Sequence, residues 1–81
     1  MSDQDRIELM RVLERVRIVY SKSLNLETSM GSMISNMKYN ITFDDKSPYE
    51  DDLNNMKDEV TKANAALSGD VIPNLINRIN S

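Results

Sequence analysis

Residues 9–37, LMRVLERVRIVYSKSLNLETSMGSMISNM, decide the fold because their apolar side chains recur at alternating steps of three and four. One stripe contains eight apolar residues among nine positions, and the ninth is Ser23. The stripe consists of Leu9, Val12, Val16, Val19, Ser23, Leu26, Met30, Met33 and Met37. A stripe kept over about four heptads is typical of a coiled-coil helix. The sequence therefore predicts a helix over about residues 3–39, with Ser2 or Asp3 as its N-cap.

A second helix is predicted after a loop at residues 40–47. Ser47 is a suitable N-cap, Pro48 suits the first helical position, and Glu50 completes a capping box. The same heptad step then continues through Leu53, Met56, Val60, Ala63 and Leu67. This pattern indicates a helix over about residues 48–68.

The end of the chain departs from this pattern near Gly69 and Pro73. The apolar residues resume one position out of step, as Ile72, Leu75, Ile76 and Ile79. Gly69 can end a helix and Asp70 can cap a new one, so we favour a break followed by a C-terminal helix at about residues 71–80. A continuous but kinked helix is the alternative.

The two stripes match each other when the chain is folded back on itself. The antiparallel pairs are Met33 with Leu53, Met30 with Met56, Leu26 with Val60, Ser23 with Ala63, and Val19 with Leu67. Beyond Gly69 the register slips by one residue. The predicted fold is all-α: one domain over residues 1–81, an antiparallel two-helix coiled-coil hairpin with a short C-terminal helix or kinked extension, completed by association with other helices.

The first helix also carries a second apolar row, which one partner helix would not cover. We predict that this row binds other helical protein subunits, as a homo-oligomer or a hetero-oligomer. The row consists of Met10, Leu13, Tyr20, Leu24 and Ile34. The alternative is that residues 71–80 fold back over it. On this interpretation Leu26→Asp unfolds the hairpin, whereas Leu24→Asp leaves it helical and abolishes partner binding.

Composition excludes several classes of function. The 81 residues contain no Cys, His or Trp, which removes disulfides, ordinary zinc sites and most nucleophilic triads. A net charge of −3 argues against nucleic-acid binding. The acidic residues at 44, 45 and 50–52 are interpreted as capping and a solvated turn rather than a cation site. We therefore expect no catalytic residue, metal, cofactor or small-molecule substrate, unless another chain completes a composite site.

The chain has no apolar run of membrane-spanning length, and its first residues are polar and acidic. We therefore expect a cytoplasmic protein, with export lacking a cleaved signal left open. In size and shape the chain resembles small secreted hairpins of type VII systems, but their Trp-x-Gly turn is missing, and no family is identified. Two functions are predicted: a non-enzymatic subunit of a larger coiled-coil complex or, alternatively, a chaperone or export partner of a specialised secretion system.

Overall fold

A computed structural model describes residues 1–42 and 44–81, so Phe43 in the predicted loop lies outside the described residues. Within these described residues, three α-helices follow one another: α1 (Asp3–Tyr39), α2 (Ser47–Ala66) and α3 (Ile72–Ile79). A short 3-10 helix (Asp44–Lys46) precedes α2, and a π-helical turn (Leu67–Val71) joins α2 to α3. The chain is an all-α antiparallel hairpin that measures 60 × 15 × 13 Å. Over the described residues, the predicted all-α helical hairpin is confirmed.

Helix α1 begins with the predicted cap. The side-chain oxygen of Ser2 accepts a hydrogen bond of 3.1 Å from the backbone N–H of Asp5. Asp3 and Asp5 lie in the first turn, where the helix dipole favours negative charge. One turn later, Arg11 forms an ion pair of 2.8 Å with Glu8. Both of these side chains are exposed, so this pair adds little stability.

The turn between the helices is held by a lysine rather than by a capping serine. The Lys46 ammonium donates to the backbone carbonyl of Ile41 at 2.9 Å and to that of Lys38 at 3.2 Å. The second carbonyl belongs to the last turn of α1, where a positive charge is favourable. The prediction of a Ser47 cap is wrong: Lys46 occupies the N-cap position with a helical backbone, because the 3-10 helix runs directly into α2.

The chain continues from α2 into α3 without a break, so the favoured break at Gly69 is wrong. Gly69 is not in the left-handed conformation that would end a helix. The N–H of Ile72 instead bonds to the carbonyl of Leu67, five residues earlier. Pro73 explains this wide turn, because its ring would clash with the carbonyl four residues earlier in an ordinary α-helix. The additional residue in the turn produces the one-residue slip seen in the sequence.

Gly69→Ala is expected to stabilise the chain. A Cβ atom at this position would meet nothing within 4 Å among the described residues, and the backbone there is helical. Alanine in a helix interior is favoured over glycine by about 0.5–1 kcal/mol. Thermal unfolding followed by circular dichroism measures the difference. If Gly69 ended a helix in a left-handed conformation, the same change would lower the melting temperature.

The buried stripe of α1 shares five of its nine positions with the predicted stripe. At the other four positions, the buried residue is the one that follows the predicted residue. The members of the buried stripe are Leu9, Leu13, Val16, Tyr20, Ser23, Glu27, Met30, Ile34 and Met37, all buried or half-buried. The predicted seam residues Val12, Val19, Leu26 and Met33 are instead exposed, and so are Met56 and Ala63 of α2. The positions that belong to both stripes stay in place. We call the observed contact between the helices the seam.

The pairing across the seam is correspondingly shifted by one residue. The side-chain amide of Asn64, not Ala63, lies opposite Ser23, whose backbone carbonyl accepts from it at 3.4 Å. The half-buried or buried positions on α2 are Glu50, Leu53, Lys57, Val60 and Asn64, and they are continued by Lys46 just before the helix and Leu67 just after it. The helices have therefore each turned about their axes relative to the predicted packing, bringing polar residues into the seam and leaving apolar ones outside.

Candidate interaction surface

A polar cluster lies in the middle of the seam and explains this rotation. It consists of Glu27 on α1 and Lys57, Thr61 and Asn64 on α2. The Glu27 carboxylate accepts from the Thr61 hydroxyl at 2.5 Å and from the Asn64 side-chain amide at 3.1 Å. Asn64 is only 5% exposed, so its bond to Glu27 satisfies an N–H group that would be costly to bury alone. Gly31 leaves room beside the Lys57 side chain, whose Cε would lie 3.7 Å from an added Cβ.

The surroundings of Glu27 lower the pKa of its carboxyl group below the ordinary value of 4.5. The hydrogen bond from Thr61 is the largest cause, followed by that from Asn64. Desolvation opposes them, and the positive charge of Lys57 adds the smallest lowering effect. These bonds favour the charged carboxylate, which accepts hydrogen bonds with both oxygens.

This shift predicts a pH dependence of stability. Because the folded-state pKa of Glu27 is lowered, its contribution is fully present above 4.5 and is lost as the pH falls through the lowered value. Thr61→Val removes the main cause. We expect this variant to be less stable than the wild type at neutral pH and to lose less stability on acidification. Urea unfolding of both proteins at neutral and acidic pH measures this difference; an equal loss in both would contradict the assignment.

An apolar strip runs along one side of the hairpin, where the two helices meet solvent. Its members are Val12, Val19, Leu26 and Met33 on α1 and Met56 on α2, each between 45% and 57% exposed. The four residues of α1 are spaced seven apart, so they lie in one line along the helix. Each strip residue directly precedes a residue of the seam. In an antiparallel pair of helices, the residues that precede seam positions on the two helices lie on the same side of the seam. Met56 therefore lies beside Met33.

The strip continues into a shallow groove at the open end of the hairpin, where the two chain termini lie. Met1, Leu9 and Val12 line this groove together with three charged residues, Asp5, Glu8 and Arg78. The guanidinium group of Arg6 lies 3.5 Å from the carbonyl oxygen of Ser81, which places the two ends of the chain together. The exposed apolar surface thus extends from this end to Met33 near the turn.

The row predicted to bind partners does not form one surface. Leu13 is buried in the seam, and Tyr20 and Ile34 are half-buried there. Met10 and Leu24 remain exposed, at 54% and 39%. An open groove of about 490 Å³ between α1 and α3 has Met10, Leu13, Ile18, Ile76 and Ile79 among its lining residues. The C-terminal helix thus packs against the first part of this row. For Met10 and Leu13, this agrees with the alternative that residues 71–80 fold back over the row.

The apolar pattern does not predict the strip as an exposed surface, because it places these residues in the contact between the helices. The residues of the strip are as apolar as those that are buried. The predicted stripe and the buried stripe of α1 also share five residues: Leu9, Val16, Ser23, Met30 and Met37. The signal that could have found it lies in the polar residues: Glu27 and Asn64 occupy positions from which they can bond to each other only across the seam.

The described part of the chain was also compared with the features of metal sites and membrane-spanning helices. No group of three or more acidic side chains in residues 1–42 and 44–81 converges as metal ligands would. None of the helices there is long and apolar enough to cross a membrane. Comparison of the chain with protein-family models, curated proteins and solved structures finds no match.

Proposed function

We propose that this chain is a non-enzymatic helical subunit that mediates protein–protein assembly through its apolar strip. The observation that supports the proposal is the line of four large apolar side chains on α1, with Met56 of α2 beside it, each about half exposed. Single exposed apolar residues are ordinary on protein surfaces, but several of them aligned along one face favour a surface that another protein covers. A line with a seven-residue period fits a helix as the covering element.

The shape of the hairpin supports the same function. Its radius of gyration is 18.0 Å, whereas a compact domain of this length has one of about 12 Å. Only Leu13, Met30 and Asn64 are buried among the described residues, so the hairpin has a small core of its own. Small helical units of this kind usually gain stability from association.

Leu26→Asp tests this function because it places a charge in the middle of the strip. The full-length chain, tagged and expressed in its native source, is isolated together with its bound proteins, and so is the variant. We expect wild-type protein in a complex of defined stoichiometry and the variant outside it. Circular dichroism of the purified variant checks that it is folded. Loss of the complex on Met10→Asp but not on Leu26→Asp would contradict the strip as the assembly surface.

The same isolation separates the subunit from the chaperone or export partner. A subunit is recovered in a stable complex with a constant ratio of components. A chaperone or export partner is recovered with a client that is released, so its complex is transient and the proposed subunit function would be wrong.

A further inference from the structure

We propose that the apolar strip binds the same strip of a second copy of this chain, with the two hairpins antiparallel, so that they form a four-helix bundle. This inference rests on the proposed assembly function and names its partner. In this arrangement α1 of one copy lies along α1 of the other, and the two-fold axis passes near Ser23, halfway along the strip of α1.

The spacing of the strip favours a second copy in this orientation. The four strip residues of α1 are equally spaced, so reversal of the second helix places an apolar residue opposite each one. Val12 meets Met33 of the other copy, and Val19 meets Leu26. A parallel arrangement would bring α1 against α2 of the other copy instead. There Tyr49, Met56 and the small Ala63 continue the line, before Asp70 interrupts it opposite the Val12 end.

The charges at the two ends of the hairpin favour the same orientation. The turn end, residues 44–52, has five acidic side chains and one lysine. The open end, residues 1–22, has five basic and four acidic side chains, and Arg78 lies close to it. A parallel dimer would place two acidic turns together, which is unfavourable. An antiparallel dimer places each acidic turn beside a slightly basic open end, which attracts it.

The elongated hairpin also exposes enough area to accommodate the interface of a stable dimer. The hairpin exposes 6025 Å², whereas a compact monomer of this mass exposes about 5,000 Å². The excess is about 1,000 Å² for each chain. If two copies covered it, they would bury about 2,000 Å² in total, which lies at the upper end of standard specific interfaces.

Sedimentation equilibrium of the purified full chain tests the second copy. We expect a mass of twice 9.3 kDa. Leu26→Asp, which places two like charges close to the axis, is expected to give a folded monomer. Met10→Asp, on the other side of α1, is the matched control and is expected to stay dimeric. A wild-type monomer, or a dimer that Leu26→Asp leaves intact, would overturn the proposal.

Engineered disulfides test the orientation, and the absence of natural cysteine makes them easy to interpret. Val12→Cys and Met33→Cys are prepared as separate variants. In an antiparallel dimer, an oxidised mixture of the two gives a disulfide between the variants, and neither variant alone cross-links efficiently. Efficient cross-linking of Met33→Cys with a separate Met56→Cys variant, and none between Val12→Cys and Met33→Cys, would indicate a parallel dimer and overturn the proposed arrangement.

These outcomes are distinguishable from failure of the assembly function. A monomer that binds a different protein through the strip, and loses it on Leu26→Asp, would overturn the second copy and leave the assembly function standing. A monomer for which Leu26→Asp changes no association at all would overturn both.

Discussion

Replacing Leu13 by aspartate is expected to unfold the hairpin, whereas the same replacement at Leu24 is expected to leave it helical. Leu13 is buried in the seam, near Ile76 and Ile79 of α3. An aspartate there would lose most of its hydration, at a cost of several kcal/mol for a buried ion. Small domains have total stabilities of about 5–15 kcal/mol, and a hairpin with so small a core lies at the lower end.

The Leu24 variant is a suitable control because it carries the same chemical change on the same helix. Leu24 is 39% exposed, so its aspartate stays hydrated. Helicity at 222 nm and the cooperativity of thermal unfolding are measured for both variants. Comparable loss of helicity in the two would mean that Leu24 also belongs to the intramolecular core, contrary to the packing described above.

The Leu13 result also separates the two ways of packing that the sequence allows. In the packing predicted from the apolar pattern, Leu13 lies outside the seam and Leu26 inside it, so that packing predicts that Leu26→Asp unfolds the chain. In the structure Leu26 is half exposed and Leu13 is buried. Leu26→Asp is therefore now expected to act on association and to spare the fold of the hairpin.

The sequence predicts the fold because both packings share most of their features. The length of the helices, the turn after residue 39 and the antiparallel pairing follow from periodicity, and they do not depend on which of two adjacent stripes is buried. The one-residue slip near Gly69 was also visible as a change in the apolar pattern. The wide turn that accommodates it was not predicted, because Gly69 and Pro73 suggested a helix end rather than an insertion.

The rotation of the helices could not be predicted by counting apolar residues. The predicted stripe of α1 has one apolar residue more than the buried stripe, which includes the polar residues Ser23 and Glu27. A count treats Glu27 as unfavourable in the seam, although Thr61 and Asn64 satisfy it there. The choice depends on hydrogen bonds between residues more than thirty positions apart, which a pattern along one helix does not contain.

Replacing Asn64 by leucine is expected to stabilise the hairpin and to weaken its specificity. The side-chain oxygen of Asn64 is buried without a hydrogen-bond partner among the described residues, which costs about 1–3 kcal/mol. A buried leucine adds about 1.5–3 kcal/mol of apolar burial. The loss of the bond to the Glu27 carboxylate offsets part of this gain, but that carboxylate keeps its bond to Thr61. We therefore expect a net gain of about 2 kcal/mol.

The loss of specificity follows from the position of Asn64 in the seam. A single buried asparagine at such a position selects one register and one number of helices, because only that arrangement satisfies its amide. Without this asparagine, the helices can rotate at smaller cost so that the strip becomes buried between them. We expect the Asn64→Leu variant to melt at a higher temperature and to show a mixture of masses in sedimentation. Asn55→Leu, on the exposed face of α2, is the control and should change neither property. An Asn64→Leu variant that melts lower than the wild type would show that the polar cluster stabilises the seam, rather than selecting its register at a cost in stability.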